Sequence, residues 1–558
     1  MRSRKILTAA MLTAAALPAR AGLNPDTPPP VLPEAPFCAT PAGGSASADS
    51  AVGAPVLVDG LGFSGVTPDT SDPAARRWFD QGVRLTWAFD EVEAIRAFQQ
   101  AQKIDPNCAL CAWGEAWARG PTINLQPRND QHALAKAAAA RALALSSRLS
   151  PRDRGLIEAM QVRIGDGSRF RNKPYHSAMA RLAGLYPNDD AILIIAADSR
   201  MLIFRAGGKP AEGSDAQTWL ETVLRRNPDH SGAIHMYIHL TDWIDRQDLA
   251  ERYADRLGRA APAASHLVHM PSHTYYGIGR YGDAASVNLA AIAADRAYAE
   301  KVRPPESDYR NGLYGHDVHF AIQSALMRGD GRTATDMAEH FRTVYPLDKD
   351  AGFGRIARAS TMYAFGLHAP IGDVIALAEP PSVAVMERAM RHYARGEALA
   401  RKGDAAGVRS EATAIGALRS GPTGRALGGA NGEALVEVAQ RVLEGRAAML
   451  AGDPRAAAAA YLAGMRRQDG AHFNSDPPSF WYPVRRSVAA ALLAQGDALG
   501  AERQLTASLE GWPNDPLALY LLAKAQRALG KPADAARSLS RAKAGWVGDI
   551  EAMPLSRI

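Results

Sequence analysis

Between residues 482 and 545 the chain repeats itself at an interval of 34. Ala489 pairs with Ala523, Gly496 with Gly530, Ala501 with Ala535 and Leu505 with Leu539. Counting each unit from its first residue, Tyr482 or Pro516, these are positions 8, 15, 20 and 24. A stretch from Val438 has Gly445, Gly452, Ala457 and Tyr461 at the same places. One from Ala75 has Gly82, Ala94 and Phe98 at 8, 20 and 24, then Ala101 at 27 and Pro106 at 32. A unit this short cannot bury an apolar face alone, so neighbours must stack to share a core. Small residues let two helices approach closely, and the larger ones fill the space between them. The pattern predicts an all-α protein. Composition agrees, since aromatics are only 7% and no stretch from Pro73 onward reads as a strand.

These positions resemble the tetratricopeptide repeat, a helix–turn–helix unit of the same length. The resemblance covers most of residues 73–545 and implies an α-solenoid of stacked helix hairpins, roughly ten to twelve pairs. Two segments, DPNCALCAWGEAW and HMPSH, look like an exported bacterial subgroup of that family. The likeness implies a fold and a groove, not a reaction.

The first 21 residues have the layout of a secretory signal: basic MRSRK, an apolar run too short to span a bilayer, and Ala19-x-Ala21. A periplasmic or secreted protein is therefore expected. Cleavage would remove Arg2, Arg4, Lys5 and Arg20 with no acidic residue, so the net charge of +6 falls to +2. That removes the main support for nucleic-acid binding. No other segment is apolar enough to span a membrane. Residues 22–72, rich in Pro, Gly and Ser, read as an extended or flexible leader. Repeats with a Cys-x-x-Cys follow over 73–230, His-rich repeats over 231–348, further repeats over 349–545 and a tail over 546–558.

Eight of the 14 histidines fall between 230 and 319, and seven of them occur as HMYIH, HLVHMPSH and HDVH. Units beginning at Ser231, Ser265 and Gly315 put His235, His269 and His319 at position 5. His239 and His273 fall at position 9, and His266 and His316 at position 2. Independent anchors support the register: Ala250, Gly279, Ala284, Gly329 and Pro346. Spacings of 3, 4 and 7 share one helix face. Positions 2, 5 and 9 line the concave groove in the repeat family, so the resemblance implies seven histidines on one surface.

Neutral imidazole suits zinc, copper, iron and nickel and suits calcium and magnesium poorly. Seven donors exceed one tetrahedral site, so two or three ions are open. An all-imidazole shell outside the cytoplasm leans toward copper or zinc. Asp242 and Asp317 are the nearest carboxylates on these helices. With Tyr237 and Tyr275 they are candidates to support the ligands; Tyr276 and Trp243 are further groove-wall candidates. Pro271 either kinks its helix or opens it at the first turn. Cys108 and Cys111 admit a local disulfide, extra metal ligation or redox exchange. The zinc-protease HExxH, GxSxG and a Walker-type loop are absent, and GLGFSG reads as a turn because no βαβ unit follows it. Three functions stay open. One is an extracytoplasmic metal-binding repeat protein. Another is a metal-dependent, copper-favoured oxidoreductase acting on a small molecule or peptide; a hydrolase is less favoured. The last is a scaffold whose groove takes a peptide or protein.

Overall fold

The structure, a computed structural model, describes residues 53–558 apart from 128, 206–209, 306–307, 345–351, 383, 421–428 and 472–476. The signal segment and the leader as far as residue 52, with Cys38, lie outside the described residues. The described residues form helices and turns and contain no strand. None of these helices is long and apolar enough to cross a membrane.

The first hairpin shows how the repeat builds structure. Asp72 caps helix Pro73–Trp87 by accepting from the Ala74 and Ala75 amides, with Pro73 in the first turn. Asp90 caps its partner, Glu91–Ile104. Phe98 fills the space between them and the next helix, Ala109–Ala118. A Cβ on Gly82 would stand 2.7 Å from the Phe98 ring, and one on Gly114 would overlap it. The same contact recurs where Gly445, in helix Gly429–Leu450, faces Tyr461 in helix Pro454–Ala471. Alanine normally stabilises a helix interior by about 1 kcal/mol over glycine. At Gly445 the new methyl would collide with a buried ring, and overpacking of that kind costs about 1–3 kcal/mol. Gly445→Ala is therefore expected to lower the thermal midpoint; an unchanged or raised midpoint would argue against the contact.

Position 15 is the turn inside each hairpin. Gly279, Gly329, Gly452, Gly496 and Gly530 all have positive φ there. Two repeats do the same without glycine, at Phe89 (φ 56°) and Asp245 (φ 55°). Left-handed backbone is unfavourable for a bulky side chain and persists only when the surroundings enforce it.

Contacts distant in sequence close the array. Tyr281 donates to the Pro513 carbonyl, Asn514 donates to the Ile278 carbonyl, and the Val547 amide donates to the Arg328 carbonyl. Gly279 meets the Pro513 carbonyl so closely that a Cβ has no room. The carboxy-terminal repeats thus pack on the turns of the His-rich ones.

Residues 53–72 are extended, as their composition suggests, but they are held rather than free. Gln81 bonds both the Val58 amide and the Val56 carbonyl. Trp87 donates to the Ser64 carbonyl. The Phe63 amide donates to Ser231, and the Ala263 amide to the Gly60 carbonyl. The GLGFSG turn is therefore a strap across the start of the helix that carries His235. The cause is apolar: Leu61 and Val66 are buried against the repeats.

Candidate metal centre

Helix Ser231–Trp243 presents His235 and His239 one turn apart. The next repeat begins with Ser265–His269 and continues as Pro271–Gly277. Pro271 opens that second helix at its first turn while Met270 keeps helical dihedrals, so His269 and His273 stay one turn apart. Helix Asp308–Met327 supplies His316 and His319.

The histidines divide into two triads. His235, His239 and His266 each offer a nitrogen within 4.8 Å of the other two, and so do His269, His273 and His316. Each triad has the same origin: positions 5 and 9 of one repeat and position 2 of the next. The repeat operation has built one site twice. The triads adjoin, with ring centres 6.2 Å apart for His239 and His273 and 6.0 Å for His266 and His269.

Hydrogen bonds fix the tautomers. His235 Nδ1 lies 2.6 Å from the Trp87 carbonyl, which only accepts, so the proton sits on Nδ1 and the lone pair on Nε2. That Nε2 is 3.1 Å from His239 Nε2. His269 repeats the arrangement. Its Nδ1 is 2.6 Å from Asn288 Oδ1 and 3.0 Å from Asp317 Oδ1. Asn288 is oriented by donating to the Ala284 carbonyl. His269 Nε2 faces His273 Nε2 at 3.0 Å. Two nitrogens bound to one ion at about 2.0–2.1 Å stand about 3–3.4 Å apart, so both pairs have a metal chelate's spacing. Both ring nitrogens of His266 are buried without a hydrogen-bond partner, an unfavourable state for a polar group that ligation would relieve.

A phenylalanine covers each triad. The Phe89 ring lies 4.4, 5.9 and 5.7 Å from the rings of His235, His239 and His266. Phe320 lies 5.3, 4.9 and 5.1 Å from those of His269, His273 and His316. No triad histidine is more than 6% exposed. Burial pushes the His235 imidazole down to about 3, against a weaker opposing pull from the Trp87 carbonyl. It holds His239, His266, His269 and His316 well below the usual histidine value, and the neighbouring imidazoles add to the effect. The rings are neutral donors, the form that binds metal. Burial pushes Asp317 well above the carboxylate range, with Asp295 adding to the rise.

The structure departs from the sequence expectations in three respects. The histidines do not line an open groove, because the strap, Phe89, Phe320 and the carboxy-terminal repeats enclose them. His319 joins neither triad. Position 9 of its repeat is Gln323, whose amide bonds His319 Nε2 at 2.9 Å and the Pro478 carbonyl at 3.0 Å. Tyr237 and Tyr275 lie two residues from ligand positions and so face away; they donate to Glu221 and Asp255. Of the three uses open to Cys108 and Cys111 the structure has the local disulfide, and neither is in a metal-binding group. Glu115, buried on the same helix, is held by Arg119 and Arg141. Of the carboxylates, Asp317 stands directly behind His269, and Asp242 lies 4.0 Å from His273 Nδ1. Trp243 packs 6.3 Å from His239, and Tyr276 packs on Phe320.

Two contributors escaped sequence reasoning, although each left a trace. Asn288 occupies position 24, where the repeats from Ala75, Val438, Tyr482 and Pro516 carry Phe98, Tyr461, Leu505 and Leu539. Phe89 occupies position 15, where most carry glycine, and its strained backbone places the ring over the first triad.

No family model matches the sequence, and no curated protein matches it either. Solved structures resemble the chain only distantly. A human IFIT1 dimer with m7Gppp-AAAA is 12% identical, covering 86% of this chain and 91% of that one, with a TM-score of 0.29. The anaphase-promoting-complex assembly Cut9–Hcn1 is 14% identical over 83% and 78%, with a TM-score of 0.27. The TPR domain of P58(IPK) is 13% identical over 63% and 92%, with a TM-score of 0.19. Likeness at this level carries no argument about function.

Proposed function

We propose that this chain is an exported protein that binds two transition-metal ions, one in each histidine triad. The observation that carries the reading is the duplicated set of three buried imidazoles, with the Nε2 atoms of the paired rings facing each other at 3.0 and 3.1 Å. Ligands made only of imidazole favour copper or zinc over hard cations. Three protein ligands leave a fourth position for water or substrate, the pattern of catalytic rather than structural sites. The support behind the ligands has the expected form: a backbone carbonyl behind His235, a carboxyl group and an amide behind His269. The Cys108–Cys111 disulfide suits an oxidising compartment and so supports export.

A metal-dependent oxidoreductase is the second reading. A cavity of about 70 Å³ reaches His266 and gives a small molecule a way to the first triad. The peptide-scaffold reading is weaker at this site, because enclosed rings offer no face to a peptide.

X-ray absorption at the edge of the bound metal tests the ligand set. Three or four nitrogen or oxygen neighbours at about 2.0–2.1 Å are expected. A sulfur neighbour at about 2.3 Å would exclude an all-imidazole site.

A further inference from the structure

The two triads meet edge to edge. In the first, ring centres stand 4.9 Å apart for His235 and His239, 4.9 Å for His235 and His266, and 6.3 Å for His239 and His266. A ring nitrogen bonded at about 2.0–2.1 Å holds its ion about 3.2 Å from the ring centre. The point at that distance from all three centres lies almost on the line joining His239 and His266, with His235 behind it. That same edge faces the second triad, His239 toward His273 at 6.2 Å and His266 toward His269 at 6.0 Å. His235 contacts the rings of Phe89, His239 and His266, and His316 contacts those of His269, His273 and Phe320, so each closes its triad at the outer end. The open position of the first ion is therefore turned toward the second.

Charge points the same way. All six ligands are imidazoles, which bind metal in the neutral form. The carboxyl groups behind them, Asp317 at His269 and Asp242 at His273, stand at Nδ1, whereas the paired rings face each other through Nε2. Neither carboxyl is placed to bond an ion, so each ion directs its charge to its open position. We propose that the two triads form one dinuclear centre that binds a single small anion between its ions. The inference rests on the metal reading and adds the class of ligand. Two buried cations attract an anion placed between them more strongly than one cation does, and the effect is large where water is excluded. The close approach of the facing edges limits that anion to a few atoms.

Azide is the probe, titrated by calorimetry into full-length protein loaded with whichever of copper, zinc or iron it retains. One azide per chain is expected, bound at least about tenfold more tightly than to His269→Ala or His235→Ala holding a single ion. Metal-free protein should bind none. Two azides per chain, or one bound no more tightly than to the single-ion variants, would overturn the proposal. So would no azide on a chain that holds two ions, or azide on the metal-free chain. The stoichiometry is read on the unsubstituted protein and does not depend on either variant folding. Metal is counted on the same preparation, so a chain with two ions and no shared anion fails this proposal alone.

Discussion

Replacing His269 with alanine is expected to lower the bound metal from two ions per chain to one. His235→Ala should do the same at the other triad, and the double substitution should leave none. Each loss follows from geometry. With one of three imidazoles gone, two nitrogens remain in a buried pocket that cannot complete a shell. Removing even a group behind a ligand typically weakens metal binding about 10–100-fold. Losing a ligand should exceed that, enough to empty the site at micromolar metal. His319→Ala is the control: its ring nitrogen is bonded to Gln323, so both ions should stay. Elemental analysis of the four variants reads this directly. Two ions retained in His269→Ala, or one lost in His319→Ala, would contradict the division into triads.

Acid should unfold the metal-free protein sharply. Burial holds seven histidines in and beside the site in the neutral form: His230, His235, His239, His266, His269, His316 and His319. Their folded values lie below the unfolded value of about 6.5. Between the two, the unfolded chain binds more protons than the folded one, so stability falls as pH falls. Three buried acids, Glu91, Asp198 and Asp317, are shifted upward and oppose this, because they hold protons in the folded state that the unfolded chain releases above about pH 4. The histidines outnumber them by four. At about 1.4 kcal/mol per proton the net slope is roughly 5 kcal/mol per pH unit. A whole domain holds only about 5–15 kcal/mol. Loss of structure is thus expected within about one to three pH units below 6.5, and bound metal should move the midpoint to lower pH. Circular dichroism against pH, with and without metal, measures both. A metal-free protein unchanged at pH 4 would show that the rings are not buried as described.

The repeat was legible because its information is local. Positions 8, 20 and 24 decide how two adjacent helices pack, and position 15 decides how they turn. The histidines were legible for the same reason, since helical spacing assigns His235 and His239 to one face. The enclosure of the site was not. It depends on contacts more than two hundred residues apart, such as Tyr281 to Pro513, which no local pattern carries. The strap was hidden because Pro- and Gly-rich composition describes a backbone without helix, whether free or held. His319 was misplaced because its position was read without that of its partner. Position 9 of that repeat is Gln323, and one residue separates a third triad from a hydrogen-bonded pair. Phe89 and Asn288 show that departures from a repeat at its most regular positions mark the residues recruited for a site.

The most direct measurement is the metal content of the unsubstituted protein, purified from the exported fraction and loaded separately with copper, zinc and iron. Two ions of at least one of these metals per chain, retained through desalting, is the expected result. A chain that stays essentially metal-free with all three would contradict the assignment of the histidine triads as a metal centre.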